Sequence, residues 1–294
     1  MNSNFLVAIN KPTGLTSSDV VIKVRKILSL YYNEKVKTGH MGTLDPGASG
    51  VLLIGVNKAN RLFDLLLNKN KTYVGRLTFG KSTDSQDSFG KVISVSDKKP
   101  TIDEIQNVLD KFRGKISQIP PKYSALKING QKGYDLARQN KDFEFSARNV
   151  FIFDLKILRY EEINGHVKTV DFFINCSSGT YIRTLLYDIA KALDCEGYMS
   201  YLIRDSIMDI TLNDCVTIDE FSLNPVKNII NIEDLIKKFM NVIEVSEKQY
   251  TLISNGVGIK LSYKDKNLAV IREGKIDFIL ENKNGIYKSI INLQ

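Results

Sequence analysis

The start of the chain alternates between apolar runs and polar breaks in a pattern that predicts a strand, a turn and a helix. Residues 5–9 form a short apolar run, and the Lys-Pro-Thr-Gly sequence at residues 11–14 ends it. Thr16 can then cap a helix in which apolar residues recur at helical spacing. Residues 51–56 form a second apolar run, typical of a buried strand, and a short helical pattern follows it. The segment between these two units is rich in glycine.

The middle of the chain predicts more strands than helices. Residues 71–79 and 92–95 have the composition of strands, and we expect them to pair as a hairpin across the polar loop at 83–90. Thr101 lies three residues before Glu104, which is the spacing of a capping box, and an apolar helical pattern follows.

A second hairpin is predicted where Asn164 and Gly165 separate two apolar stretches, residues 151–158 and 167–176. Asn-Gly is a strong signal for a two-residue turn between antiparallel strands. His166 follows directly, so we expect it to be a surface turn residue. Strands and helices mix without regular alternation, which favours an α+β fold with a mixed, largely antiparallel central sheet and flanking helices.

The pattern of apolar and polar residues changes near residue 242. From there on, short apolar runs alternate with lysine, aspartate, asparagine and glycine, as in a small β domain. We therefore expect a large domain at residues 1–241 and a small one at residues 242–294. A chain of 294 residues suits that organisation, because single cores stop growing at a few hundred residues.

The charge of the chain favours a polyanionic partner. Lysine and arginine number 41 and aspartate and glutamate 33, which gives a formal net charge of +8. Nucleic acid is the leading interpretation, although an excess of lysine also serves solubility. The three cysteines show no disulfide or metal-ligand spacing, so we expect them to be reduced. No apolar run approaches the roughly 18 residues that span a bilayer, and we expect a cytoplasmic protein without membrane contact.

Two simple enzyme classes are disfavoured by the residues. The only histidines, His40 and His166, leave little room for a zinc site or a hydrolytic triad, and we expect no metal. Residues 75–82 formally match the phosphate-binding P-loop pattern. We reject that match, because a P-loop needs a helix at its lysine and the residues after Ser82 are too polar for a packed helix.

The most unusual stretch is Gly-His-Met-Gly-Thr-Leu-Asp-Pro-Gly-Ala-Ser-Gly at residues 39–50. Four glycines and a proline surround a single carboxylate, Asp45. Such residues fix an irregular backbone and can hold one side chain in place. Composition alone is equally compatible with Asp45 as a turn former before Pro46.

Residues 39–50 resemble the Gly-His-x-Gly-Thr-Leu-Asp-Pro-x-Ala-x-Gly motif of the bacterial TruB-type tRNA pseudouridine synthases. We call this stretch the catalytic loop, after the role that the resemblance implies. Further segments resemble that family in the same order, so that the resemblance covers residues 5–215. They are Lys11-Pro12-Thr13-Gly14 with Thr16-Ser17, Lys71-Thr72-Tyr73, Thr83-Asp84-Ser85, Ile119-Pro120-Pro121 with Tyr123-Ser124-Ala125-Leu126-Lys127, and Gly179-Thr180-Tyr181-Ile182-Arg183-Thr184. Residues 242–294 are similar to the family's small RNA-binding β domain, of PUA type.

The resemblance implies that Asp45 is the catalytic residue, as a nucleophile or as a base at the sugar, and that Arg183 is its ion-pair partner. It also implies that Tyr73 stacks on the target base and that Tyr181 lies near that base. Because Tyr181 and Arg183 are two residues apart, an extended backbone would point both side chains to one side. We expect that extended form.

The resemblance also implies roles for residues around the pocket. His40 matches a histidine that helps to hold the RNA after the base has flipped out, and Lys11 and Leu202 match positions in the pocket wall. Arg204 is expected to bind RNA. Where the family reads Leu-Arg-Arg, this chain has Ile203 in place of the first arginine, so one expected positive charge is missing.

The implied function is the isomerisation of uridine to pseudouridine at position 55, in the T-arm loop of tRNA. The partner is the T-arm stem-loop, and we expect a monomer that needs no cofactor. A non-catalytic tRNA-binding or RNA-chaperone protein on the same scaffold would carry the same charge, but the set of Asp45, Tyr73, Tyr181 and Arg183 argues against it. A glycosidase needs a second positioned carboxylic acid, and no second carboxylate has a comparable loop.

Overall fold

The computed structural model of the chain describes residues 4–67, 69–128, 130–139 and 141–294. Its α-helices are α1 (Ser17–Tyr32), α2 (Phe63–Leu67), α3 (Ile102–Leu109), α4 (Gly133–Arg138), α5 (Ile182–Ala192), α6 (Ile218–Leu223), α7 (Ile232–Lys237) and α8 (Glu247–Ser254). Its strands are β1 (Phe5–Lys11), β2 (Thr38–His40), β3 (Ser49–Val56), β4 (Lys71–Phe79), β5 (Lys81–Thr83), β6 (Val92–Val95), β7 (Gly114–Gln118), β8 (Lys127–Ile128), β9 (Gln131–Lys132), β10 (Arg148–Ile163), β11 (His166–Cys176), β12 (Gly197–Ile207), β13 (Ile210–Thr211), β14 (Ile229–Ile230), β15 (Asn241–Ile243), β16 (Ile259–Lys260), β17 (Asn267–Arg272), β18 (Lys275–Lys283) and β19 (Ile286–Asn292).

One large sheet runs through most of the chain. Its strand order is β14-β1-β3-β12-β4-β11-β10-β7, with β2 attached to β3 and β13 to β12. The pairing of β12 with β3 is parallel, and the other pairings in this sheet are antiparallel. Helices flank the sheet, so the predicted α+β class with a mixed, largely antiparallel sheet is confirmed.

Local signals in the sequence correspond to the observed element ends. The side chains of Thr16 and Thr101 each accept a hydrogen bond from the backbone N–H three residues later, and both helices begin with a full capping box. Asn164 and Gly165 have φ values of 53° and 78° at the turn between β10 and β11. Two positive φ angles are what a tight hairpin turn of this kind requires. These three predictions are confirmed.

One predicted pairing is wrong. Strand β6 pairs with β5, and β4 lies between β11 and β12 in the large sheet. Gly80, at φ +111°, breaks the chain between β4 and β5, which lets β5 leave the sheet and form a separate ribbon with β6. Because Lys81 begins a strand, the rejection of a P-loop at residues 75–82 is confirmed.

The C-terminal part forms a second sheet with the strand order β15-β17-β18-β19-β16. Apolar side chains of this sheet pack into the same cluster as side chains from β1, α2 and α7. The members contributed by the C-terminal sheet are Ala269, Ile276, Ile279 and Ile291, and those contributed by the rest of the chain include Leu6, Leu66, Ile232 and Ile236. The boundary between residues 241 and 242 stays a prediction, because this shared cluster joins both sides of it.

Polar contacts cross the same junction. The Asn4 side-chain amide donates to the Leu293 carbonyl over 2.7 Å, and the Ile276 amide donates to the Glu233 carboxylate over 3.1 Å. Arg61 donates to the carbonyl of Asn292.

None of the helices in the described ranges is long and apolar enough to cross a membrane.

Candidate active site

The catalytic loop connects β2 to β3 and is held from behind by Arg204. The guanidinium of this residue donates to the carbonyls of Gly42, Thr43 and Val51 over 3.1, 3.3 and 2.7 Å. Arg204 is only 1% exposed. A buried arginine of this kind donates its N–H groups to main-chain acceptors and so fixes the path of the loop.

The prediction that Arg204 binds RNA is therefore corrected by the structure. Its guanidinium lies inside the protein, bonded to main-chain carbonyls, and faces no solvent from which a phosphate could approach. Ile203 alternates with Leu202 and Arg204 along β12, so it projects from the opposite face of the sheet. The positive charge that is missing at Ile203 would therefore lie away from the catalytic loop.

Two further side chains hold the front of the loop. The Ser17 hydroxyl accepts from the Leu44 amide over 2.8 Å and donates to the Leu44 carbonyl over 2.9 Å. The ammonium of Lys11 donates to the carbonyls of Pro12, Leu15 and Pro46. Burial lowers the pKa of Lys11 to about 8. The residues before and after Asp45 are thus each fixed by a side chain from another element.

Asp45 forms an ion pair with Arg183. The Arg183 Nε lies 2.9 Å from the Asp45 Oδ2, and the two side chains are 4% and 36% exposed, respectively. The guanidinium is therefore buried behind the carboxylate, and the carboxylate itself stays open to solvent. A negative charge at that position can reach a bound molecule while a fixed cation balances it.

The same guanidinium also holds a second loop, at residues 83–90. It donates to the Ser85 and Tyr123 carbonyls over 3.0 and 2.9 Å, and it lies 3.5 Å from the Asp87 carboxylate. Asp87 was missed by reasoning from the sequence. The sequence pattern that could have pointed to Asp87 is the polar turn at Thr83-Asp84-Ser85. This pattern indicates a constrained loop, but it does not predict which carboxylate of the loop faces Arg183.

The backbone around Tyr181 differs in part from the prediction. Tyr181 itself is extended, with φ −93° and ψ 109°, but α5 begins at Ile182, so Arg183 lies in the first turn of a helix. The expectation of an extended backbone through Arg183 is wrong. Apolar spacing in residues 182–192 buries one face of α5 against the sheet, and this packing outweighs the local preference for extension.

Tyr181 is fixed at both ends of its peptide unit. The Gln118 side chain donates to the Tyr181 carbonyl over 3.3 Å and accepts from the Tyr181 amide over 3.1 Å. The Arg148 guanidinium lies over the Tyr181 ring, 4.8 Å from its centroid. These contacts hold the ring at the start of α5, next to Arg183.

Tyr73 lies on β4 and is 8% exposed. It belongs to the same apolar cluster as Leu44 of the catalytic loop and Leu202 of β12. Burial raises the pKa of the Tyr73 phenol to about 12, although the Arg204 guanidinium acts in the opposite direction. The phenol is consequently neutral near pH 7, and Leu202 packs as a wall residue beside it.

His40 lies at the end of β2, just before the loop turns towards Asp45. Burial and the Arg204 guanidinium lower the pKa of His40 below its usual value. Its Nδ1 is buried and has no hydrogen-bond partner within the described part of the chain. The imidazole of His40 therefore has one buried, unsatisfied nitrogen beside the catalytic loop.

Gly50, at the end of the catalytic loop, provides a stability test of this architecture. Its φ is +107°, and a Cβ added there would lie 2.2 Å from the Arg204 carbonyl oxygen and 2.8 Å from the Arg204 nitrogen. We expect Gly50→Ala to lower the free energy of unfolding by more than about 2 kcal/mol, because backbone strain and a backbone clash add. Denaturant unfolding measures this change.

Gly285→Ala is the matched control for Gly50→Ala. Its φ is +84°, but no atom lies within 4 Å of the added Cβ. We expect a loss of only about 1 kcal/mol there, from the left-handed backbone alone. Equal losses at both positions would contradict a tight contact between β3 and β12 at Gly50.

Comparison with known proteins shows the family of the chain. The profile of the TruB family pseudouridylate synthase (N terminal domain) matches residues 25–182, which is more than half of the chain. The chain belongs to the TruB family. As a TruB-family pseudouridylate synthase it is an enzyme, and the isomerisation of uridine to pseudouridine is its reaction class.

Curated relatives of the chain carry the name tRNA pseudouridine synthase B. The protein from Clostridioides difficile (strain 630) is 44% identical over 223 residues, which cover 75% of this chain and 71% of that protein. The protein from Rickettsia bellii (strain OSU 85-389) is 37% identical over 297 residues, covering 100% of this chain and 95% of the relative. The TruB-family likeness therefore extends beyond the N-terminal domain.

Solved structures share the fold of this TruB-family chain. The archaeal box H/ACA sRNP Nop10-Cbf5 complex contains a chain that superposes with a TM-score of 0.70 at 19% sequence identity. The match covers 99% of this chain and 86% of the other. A Cbf5-Nop10-Gar1 complex matches with a TM-score of 0.68 at 23% identity, over 99% of this chain and 85% of that one. At these identities the likeness concerns the fold.

Proposed function

We propose that this chain converts uridine to pseudouridine in tRNA, at position 55 in the T-arm loop, with Asp45 as the catalytic carboxylate. The observation that carries the proposal is the ion pair between a half-exposed Asp45 and a buried Arg183 on a loop anchored from several elements. The names of the relatives support tRNA as the substrate.

The reaction suits a site with one reactive carboxylate. The bond between N1 of the base and C1′ of the ribose breaks, the base turns, and a new bond forms from C1′ to C5. The proton that leaves C5 is balanced by one gained at N1, so the reaction has no net oxidation and requires no cofactor. Asp45 acts as a nucleophile or as a base at the sugar, and both roles need its ionised form.

The neighbouring residues have supporting roles in this proposal. The Tyr73 ring forms one wall for the flipped base, and the Tyr181 ring lies near that base. His40, which is partly exposed at the end of β2, contacts the RNA that surrounds the flipped nucleotide. Extrusion of a base costs a few kcal/mol, which new stacking and hydrogen-bonding contacts offset. Lys11 and Leu202 act indirectly, because they fix the loop and the pocket wall.

The C-terminal sheet is proposed to act as an RNA-binding domain of PUA type that contacts the same tRNA. The enzyme is proposed to act as a monomer in the cytoplasm. Its formal net charge of +8 supports a polyanionic substrate.

The proposed function is tested with the purified chain and an unmodified tRNA transcript. We expect pseudouridine to form at position 55, detected by chemical mapping and mass spectrometry, and no pseudouridine to form in a transcript that carries cytidine at that position. Pseudouridine at another position would contradict the T-arm assignment. Tight RNA binding without any pseudouridine would favour a non-catalytic RNA-binding protein instead.

A further inference from the structure

A groove of about 450 Å³ lies between α1 and β2, outside the active site. We call it the α1 groove. It is lined by four cationic residues from two segments, together with Ile22, Ser29, Val36 and Thr38. The cations are Arg25 and Lys26 on α1, and Lys35 and Lys37 on the connection to β2.

In the described part of the chain, the cations of the α1 groove form no ion pair with a carboxylate. No carboxylate of the described ranges lies within 4.0 Å of the charged atoms of these four residues. The nearby Asp19 carboxylate serves the capping box of α1, and Glu34 does not line the groove. Four exposed cationic residues that line one concave surface make its potential positive, which attracts an anion.

The α1 groove lies on the same face of the sheet as His40. Strand β2 pairs with β3 so that His40 is opposite Ile54, and directly opposed residues project from the same face. Ile54 packs in one cluster with Val20 and Val24 of α1, so that face is the one α1 covers. Thr38 also lies against α1, because its hydroxyl donates to the Val21 carbonyl over 3.3 Å.

The α1 groove is also within reach of an RNA bound at Asp45. Ser17, at the start of α1, holds Leu44 of the catalytic loop. Lys26 lies nine residues further along the same helix. At 1.5 Å per residue the separation along the helix axis is about 13 Å. An RNA strand that leaves the active site beside His40 would cover that distance within a few nucleotides.

We infer that the α1 groove binds phosphates of the substrate RNA, on the backbone that flanks the target nucleotide. This inference rests on the proposed function only in taking RNA as the substrate. The contact positions the RNA and does not read its sequence, because lysine and arginine on phosphate carry no base information. The chemistry of turnover at Asp45 is separate from it.

The salt dependence of binding tests the α1 groove. We compare the wild type with the variant Lys35→Gln/Lys37→Gln, using an unmodified full-length tRNA transcript at 50 and 200 mM salt. Each lost phosphate contact lowers the slope of log K against log salt by about 0.7–0.9. Loss of two contacts should therefore make the variant's affinity about tenfold less salt-sensitive over this range.

The matched control is Lys111→Gln/Lys115→Gln. These two lysines are also exposed and also lack a carboxylate partner within 4.0 Å in the described chain. Lys115 lies on β7, at the far edge of the sheet from β3, roughly 24 Å away at the usual spacing of strands. We expect the wild-type salt slope for this control.

The possible results distinguish a failure of the α1 groove as an RNA site from a failure of the proposed function. A Lys35→Gln/Lys37→Gln variant with an unchanged salt slope and unchanged affinity overturns the groove as an RNA site, even if pseudouridine forms normally. Equal losses in the control variant overturn it too, because the effect would then reflect overall charge. Absence of pseudouridine from the wild-type protein in the same assay contradicts the proposed function instead, and leaves the salt comparison valid.

Discussion

Asp45→Asn is expected to abolish pseudouridine formation while tRNA binding persists. The substitution keeps the size and hydrogen-bonding capacity of the side chain but removes the charge that attack or proton abstraction requires. Binding should be equal to or tighter than that of the wild type, because a carboxylate open to solvent repels RNA phosphates. Single-turnover pseudouridine formation and tRNA affinity are measured on one preparation.

Asp205→Asn is the control for the loss of a carboxylate. Asp205 lies on β12 next to Arg204, and its carboxylate accepts a hydrogen bond from Thr72 over 3.3 Å, away from the Asp45 ion pair. This variant should retain the wild-type rate within about threefold. Substantial product from the Asp45→Asn protein, once mass spectrometry has excluded deamidation to aspartate, would refute the catalytic role of Asp45.

Arg183→Met should reduce the single-turnover rate at least about a hundredfold and also destabilise the protein. The guanidinium is the shared partner of Asp45, Asp87 and two main-chain carbonyls, so its loss frees both loops around the carboxylate. Misplacement of a reacting group by about 1 Å can itself cost a hundredfold. The Ser85 and Tyr123 carbonyls also lose their donor, and a buried acceptor left unsatisfied typically costs about 1–3 kcal/mol in stability.

Two companion variants separate position from charge at Arg183. Arg183→Lys keeps a cation but lacks the fork that reaches two carbonyls and a carboxylate, so we expect intermediate rates. Arg159→Met removes an arginine that also pairs with an aspartate, Asp171, over 2.6 Å. Arg76 still pairs with that aspartate, so this variant should keep the wild-type rate. A wild-type rate in Arg183→Met, measured at a temperature where the variant is folded, would rule out the ion pair as a requirement for catalysis.

The parts of the fold that depend on neighbours in sequence could be predicted. The caps at Thr16 and Thr101 and the turn at Asn164-Gly165 each depend on hydrogen bonds or dihedral angles within a few residues. Strand β4 and the strands on either side of the hairpin turn have clear apolar patterns, and the large sheet contains them. The mixed α+β class followed from counting such elements.

The contacts that shape the site join residues far apart in sequence, and local patterns do not carry them. Arg204 reaches Gly42 across 162 positions, and Arg183 reaches Ser85 across 98. An arginine that anchors a loop and an arginine that meets RNA look the same in the sequence. Resemblance to a family identified the ion pair of Asp45 and Arg183, but Asp87 and the burial of Arg204 required the three-dimensional arrangement.

The start of α5 shows how packing can override a local preference. Gly179 lies in a turn with φ +81°, and Tyr181, two residues later, is extended. The next residues bury Ile182, Leu185, Leu186 and Ile189 against the large sheet. The helix therefore begins one residue before Arg183, and its first turn aims the guanidinium at the catalytic loop.

The apolar cluster shared by the two sheets sets the position of the C-terminal sheet relative to the large sheet. Ala269, Ile276 and Ile279 are packed against the large sheet and against α7, so the C-terminal sheet has one fixed distance from Asp45. An RNA that contacts both Asp45 and the C-terminal sheet must match the distance between them. An RNA with a longer or shorter distance between its target loop and the end of its stem would reach only one of the two.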